Sequence, residues 1–176
     1  MQVTVYSSCE AVQLELNGAP LGEKPVSAET KLTARFEVPY AAGELTAVGV
    51  VKDQPVAKVT IRSAGPPRRL RLVADRPEIR ADRNDLAYVA VNIEDEAGNL
   101  VPSPTIPVRF EVSGEGELAA VGSGNPSDAA SFRAPVRSTF HGRCLAILRP
   151  KGKPGTITLR AAAEGLAPSD VRVTVR

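Results

Sequence analysis

Apolar and polar residues alternate with period two along most of this chain, the pattern of half-buried β-strands rather than of helices. Val3 and Val5 share one face of Gln2–Tyr6. Val12, Leu14 and Leu16 share one face of Ala11–Leu16, which runs into Asn17-Gly18, the turn pair that most strongly marks a hairpin. Leu32, Ala34, Phe36 and Val38 alternate up to Pro39, which ends that strand. Glu44–Val51 and residues 56–62 follow, split by a turn at Lys52-Asp53-Gln54-Pro55. With a weak strand near Leu21, six strands are predicted by residue 62.

Ser63-Ala64-Gly65-Pro66-Pro67 then interrupts the pattern. A glycine followed by two prolines stiffens an extended connection and cannot lie in a central strand, so the domain boundary is placed there, between residues 1–64 and 65–176. Alternation resumes at 70–74, weakly at 78–81, and again at Ala87–Glu94, where Val89, Val91 and Ile93 share one face. Further strands are predicted at 108–112, 117–121, 132–140, 143–148, 156–162 and 171–175, with an irregular loop from Gly122 to about Ala130. Short strands at this spacing, punctuated by Gly, Pro and Asn, predict an all-β fold: two tandem antiparallel immunoglobulin-like β-sandwiches, one small and one of full size. The small one is of a length that buries only about 60% of its unfolded surface and is marginal alone.

Composition narrows the functional classes. At 176 residues the chain cannot hold a TIM barrel, which takes about 250. No apolar run reaches the 18–20 residues that cross a bilayer. Up to Ala64 there are six basic and seven acidic residues, and from Gly65 on there are 16 and 13, so neither half has the charge excess of a nucleic-acid binder. Arg68, Arg69 and Arg71 read as a solvated strand face. Met1–Ser8 shows neither the basic n-region nor the apolar h-region of a signal peptide. The chain starts almost inside a strand, so it is expected to be a piece of a longer chain.

Candidate chemistry is sparse. Cys9 and Cys144, 135 residues apart, are expected to be buried free thiols rather than a disulfide framework or a metal site. His141, the only histidine, lies in a turn, and neither a nucleophile elbow nor a zinc ligand set surrounds it. Glu94-Asp95-Glu96 reads as a solvated acidic turn without the spacing of a calcium loop. The glycines of Gly114-Glu115-Gly116 and Gly122-Ser123-Gly124 open no helix and read as turn residues rather than a phosphate cradle. No cofactor and no metal is expected. Sugar binding calls for aromatic platforms; there is no Trp, and most Tyr and Phe fall on alternating strand positions expected to be buried. Tyr40, in Val38-Pro39-Tyr40, is the aromatic expected to be exposed. In the Gly122–Arg137 loop, Asn125, Arg133 and Arg137 are the groups able to bond sugar hydroxyls, against the plainer reading that Asn125-Pro126 only makes a turn.

Two blocks carry a family resemblance. Val3-Thr4-Val5-Tyr6-Ser7-Ser8-Cys9-Glu10-Ala11-Val12-Gln13-Leu14-Glu15-Leu16-Asn17-Gly18, then Leu21-Gly22, then Val38-Pro39-Tyr40 with Gly43-Glu44-Leu45-Thr46-Ala47-Val48-Gly49, resembles the opening of a β-sandwich domain in bacterial β-galactosidases of glycoside hydrolase family 2. Leu86-Ala87-Tyr88-Val89, Gly122-Ser123-Gly124-Asn125-Pro126, Phe132-Arg133-Ala134-Pro135, Phe140-His141-Gly142-Arg143-Cys144 and Gly155-Thr156-Ile157-Thr158-Leu159 resemble the immunoglobulin-like domain that comes next. Ser8 and Cys9 stand where an asparagine and a small or acidic residue are common, and Ala41-Ala42 replaces a Pro-Gly style turn. The resemblance implies catalytic glutamates on an upstream TIM barrel that this chain does not match, so none of its own glutamates inherits either role. The expectation is a non-catalytic tail, partnered by the upstream barrel and other domains of a periplasmic or secreted parent that cleaves terminal β-galactosides. Two readings follow: structural support, which predicts an apolar patch left exposed, or a carbohydrate-binding module holding galactoside polysaccharide near the barrel. A third, adhesin-like repeats, explains the fold but not the first motif block, and the halves are not near-identical repeats.

Overall fold

The computed structural model describes residues 1–176 and contains strands, turns and loops but no helix. The chain forms two compact units, Met1–Ser63 and Ala64–Arg176. The first holds β1 (Gln2–Tyr6), β2 (Ala11–Leu16), β3 (Ala19–Pro25), β4 (Thr33–Glu37), β5 (Glu44–Val51) and β6 (Gln54–Arg62). β1 and β4 make a two-stranded sheet, and the other four pair in the order β3-β2-β5-β6. The Asn17-Gly18 turn joins β2 to β3 with φ of 53° and 79°, the doubly left-handed geometry that matches the twist of a hairpin. Asn17 does more than turn the chain. Its Oδ1 accepts the Glu44 N–H at 2.8 Å and its Nδ2 donates to the Ala42 carbonyl at 3.1 Å, so it also fixes the start of β5. A Cβ on Gly43 would fall 1.8 Å from that Oδ1, so the position takes only glycine.

Val12, Leu14, Ala34, Phe36, Val38, Val26 and Leu45 form the core between the two sheets. Two sequence expectations shift here. Leu32 stands outside β4, exposed and with φ +55°, because the turn at 27–32 closes through a Leu32 N–H to Ser27 carbonyl bond. The turn after β5 is only Lys52-Asp53; Gln54 and Pro55 already belong to β6, and Pro55 is tolerated because β6 is an edge strand with a bulge opposite Gly49 and Val50.

The second unit holds β7 (Arg69–Ala74), β8 (Glu78–Ile79), β9 (Ala87–Glu94), β10 (Pro107–Gly114), β11 (Gly116–Gly122), β12 (Val136–Ser138), β13 (Arg143–Pro150), β14 (Gly155–Ala162) and β15 (Ser169–Val175). A five-stranded sheet, β12-β10-β14-β15-β8, faces a four-stranded one, β11-β13-β9-β7. All ladders are antiparallel except the short β15–β8 pairing. Inward residues of both sheets, among them Val89, Val91, Ile93, Val108, Phe110, Leu148, Ile157, Leu159 and Val173, close one continuous core. Each strand buries one face because side chains alternate across the pleat. The strand predicted at 132–140 shrinks to Val136–Ser138. Upstream of it the backbone turns, with Arg133 N–H on Ser131 Oγ and Ala134 N–H on the Ser131 carbonyl, and reaches the sheets at single bonds, the Val121 N–H donating to the Phe132 carbonyl and the Phe110 N–H to the Pro135 carbonyl.

Candidate functional site

The four sugar-binding candidates do not form one site within either unit: Tyr40 belongs to the first, and Asn125, Arg133 and Arg137 to the second. Tyr40 is 73% exposed. Asn125 caps its own turn, its Oδ1 accepting the Ser127 N–H at 3.0 Å. Arg133 is exposed. Arg137 is only 2% exposed and is committed internally. Its guanidinium donates to Asp128 Oδ2 at 2.5 Å and to the carbonyls of Ala130 and Ser131 at 3.1 and 2.8 Å. It thus pins the 123–135 loop onto the sandwich instead of reaching out to a sugar. The Ala130 N–H and then Arg137 hold the Asp128 carboxyl below its usual range. Phe132 covers Arg137, its ring centroid 5.3 Å from the guanidinium carbon, while remaining 63% exposed.

Several aromatics expected in the core are at the surface. Tyr6 is 80% exposed, and Tyr88 is exposed as well; only Phe36 and Phe110 are fully buried. Tyr6 is exposed because Val3 and Val5 take the inner face of β1 and leave it on the outer one, and Phe132 because its strand does not form.

The acidic run is not the solvated turn expected of it. Glu94 and Asp95 are both buried. Glu94 lies between Arg69 at 3.1 Å and Arg71 at 3.4 Å, and Arg68 meets Glu96 at 3.1 Å, so the basic cluster and the acidic run neutralise one another. Asp95 accepts the Gly65 N–H at 2.8 Å, the Asn99 N–H at 2.8 Å and the Asn99 amide at 3.0 Å. These donors, the Gly65 N–H foremost, hold its carboxyl down to about 2 against the opposing effect of burial. The Gly65 bond holds the Pro-rich segment against the turn after β9, within the second unit. No three His, Cys, Asp or Glu side chains come together in a way that could hold a metal ion. His141 is exposed with φ +49° and rests edge-on against Phe140. Burial pushes the Cys144 thiol up to about 12, whereas Cys9 is only half-buried, against the expectation that both are buried.

An apolar groove lies on the first unit. The β1–β4 sheet covers the β2–β3 side of its partner and leaves the β6 side open. Val59 and Ile61 of β6 are 66% and 62% exposed. In register they stand beside Ala47 and Leu45, whose side chains point to the inner face. Between β1 and these residues runs a groove of about 280 Å³, lined by Val3, Val5, Tyr6, Leu14, Leu45, Ala47, Val59 and Ile61. No charged side chain lines it.

Comparison with known proteins places this architecture. Residues 70–172 match the model of glycoside hydrolase family 2 C-terminal domain 5, and residues 1–57 match a domain family of unknown function. A beta-galactosidase of Bacteroides ovatus is 34% identical over 169 residues, covering 96% of this chain and 20% of that protein. A beta-galactosidase of Thermoanaerobacter pseudethanolicus is 31% identical, covering 94% of this chain and 23% of that protein. Among solved structures, a family 2 glycosyl hydrolase of Bacteroides cellulosilyticus superposes with a TM-score of 0.97 at 38% identity, covering 99% of this chain and 23% of that one. The chain therefore spans about a fifth of the length of the curated relatives it matches.

Proposed function

Because this chain belongs to glycoside hydrolase family 2, matching its C-terminal domain 5 over residues 70–172, we propose that it is a non-catalytic accessory region of a longer family 2 glycosidase and acts as structural support for the rest of that enzyme. The observation that carries this reading is the uncovered half of the first sandwich. A soluble unit that leaves Val59 and Ile61 beside a charge-free apolar groove gains stability when another surface covers them. The relatives supply such a surface, since about four fifths of their length lies outside the match.

The carboxylates support the non-catalytic half of the reading. Glycoside hydrolysis uses two carboxyl groups about 5–9.5 Å apart across a cleft, one of them raised in pKa to act as an acid. Here Glu94 is engaged by two arginines, and Asp95 and Asp128 are held below their usual range by backbone amides. Asp95 and Asp128, so stabilised as anions, make poor proton donors. The relatives bear the names of beta-galactosidases and beta-glucuronidases, so the substrate proposed for the parent is a β-glycoside, with a terminal β-galactoside as the first to test. A second reading, a tether for galactoside polymer, is favoured by one observation: the 123–135 loop is pinned by Arg137 and presents Phe132 and Arg133 outward.

One NMR experiment tests both. The chain is mixed with galactose-terminated oligosaccharides, and saturation transfer and anomeric signals are followed for a day. The support reading predicts neither transfer nor new anomeric peaks. Transfer abolished by Phe132→Ala establishes the tether instead, and release of free galactose overturns the non-catalytic assignment.

A further inference from the structure

We propose that the first unit is completed by strand addition: an extended segment from the remainder of the longer glycosidase pairs with the free edge of β1 and lays its apolar side chains over Leu45, Ala47, Val59 and Ile61. This rests on the support reading and names the contact through which support acts.

The register of β1 defines the edge. Met1 and Val38 exchange bonds in both directions, and the Ser7 N–H reaches the Leu32 carbonyl. The pairs Val3↔Phe36 and Val5↔Ala34 fall between them in the same register. An antiparallel ladder alternates bonded and non-bonded pairs. Odd-numbered residues of β1 therefore bond to β4, and the N–H and carbonyl groups of Gln2, Thr4 and Tyr6 point away from it, toward the open side. β1 pairs with no other strand.

This edge differs from the others in the molecule. Sheet edges are normally blunted against pairing by charge, proline, bulges or shortness. β3 carries Pro20, Glu23, Lys24, Pro25 and a bulge; β6 carries Pro55, Lys58, Arg62 and a bulge. β4 carries Arg35 and Glu37, and β7 carries Arg69 and Arg71. β11 has Glu117 and a bulge, while β8 and β12 are two and three residues long. β1 reads Gln-Val-Thr-Val-Tyr, with no charge, no proline and no bulge.

Geometry fixes what fits. Two strands facing four leave about two strand spacings, roughly 10 Å, of the inner face bare. A strand placed about 4.8 Å beyond β1 lies over that gap. Its inward side chains meet the apolar groove residues and its backbone satisfies Gln2, Thr4 and Tyr6, the arrangement by which peptides add to exposed sheet edges. The occupant is thus a segment with alternating apolar residues, and the longer glycosidase, about five times the length of this chain in the relatives, is its source.

Hydrogen exchange resolved to single amides tests the pairing. The Thr4 and Tyr6 amides are measured in this 176-residue chain and in the whole glycosidase, each with and without Thr4→Pro. That substitution removes an edge N–H but no bond to β4. The expected result is fast exchange at Thr4 and Tyr6 in the chain alone and at least about 100-fold slower exchange at Tyr6 in the whole enzyme, reversed by Thr4→Pro. Equal exchange rates in both overturn strand addition. In that case, if Val59→Lys with Ile61→Lys still destabilises the whole enzyme, the support reading stands with apolar packing as its contact; if neither change has an effect, both fail. Slow exchange in the 176-residue chain together with a dimeric mass by light scattering makes the occupant a second copy and overturns the proposal.

Discussion

The two units solve the same folding problem to different degrees. In the second, 18 residues form a fully buried core between sheets of five and four strands. In the first, seven residues are buried between sheets of two and four strands, and a further apolar strip stays in water. Their alternation patterns look alike in sequence. What separates them is strand count: the same inward-facing valines become core where a second sheet spans the first, and surface where it does not. The larger unit closes its core between its own sheets, and the smaller leaves part of its inner face uncovered.

The largest effects that sharpen this contrast come from the cores. Phe110→Ala in the second unit and Phe36→Ala in the first each remove a buried ring, at a cost of about 3–5 kcal/mol. In urea titrations followed by amide cross-peaks, the second unit is expected to shift its midpoint and remain folded in water. The first, with its smaller core, is expected to lose its folded peaks altogether. Equal tolerance in both units would break the comparison. By contrast, Ile61→Ala in the isolated chain should change stability by no more than about 0.5 kcal/mol, because that side chain is already in water.

A pH titration separates the units in another way. Asp95 has a folded-state pKa near 2 against an ordinary value of 3.8. A depressed carboxyl contributes stability that is present above the unfolded value and is lost as pH falls from about 4 to about 2. Thermal melts of the second unit should therefore steepen in that window, and Asp95→Asn should flatten the pH dependence there while lowering stability at neutral pH. The smallest effect concerns the thiols. Cys144, buried and raised to about 12, should resist iodoacetamide until the second unit unfolds, while the half-buried Cys9 is modified in the folded chain. Mass spectrometry of the alkylated peptides distinguishes the two.

Much of the fold is readable from local pattern. Glu44–Val51 and Ala87–Glu94 are predicted with the bounds they have, because runs rich in strand-forming residues are flanked there by turn residues. Asn17-Gly18 announces its hairpin because few residues tolerate two successive left-handed conformations. The site is less readable. Arg137 has the chemistry of a sugar ligand, but only the fold shows its donors turned inward to Asp128 and two carbonyls. Glu94-Asp95-Glu96 and the arginines at 68–71 each look like solvated charge until strand pairing sets β7 beside β9. The exposure of Val59 and Ile61 depends on how many strands lie opposite, which no local pattern encodes.

The most direct measurement of the central claim is the unfolding midpoint of Val59→Lys with Ile61→Lys, in this chain and in the whole glycosidase that carries it. Both side chains are exposed here, so the chain alone should melt within about 0.5 kcal/mol of its parent. In the whole enzyme, covered apolar surface replaced by charge should cost at least about 2 kcal/mol. A whole enzyme as indifferent to the pair as the isolated chain would contradict the claim that this region supports its parent through the open face of its first sandwich.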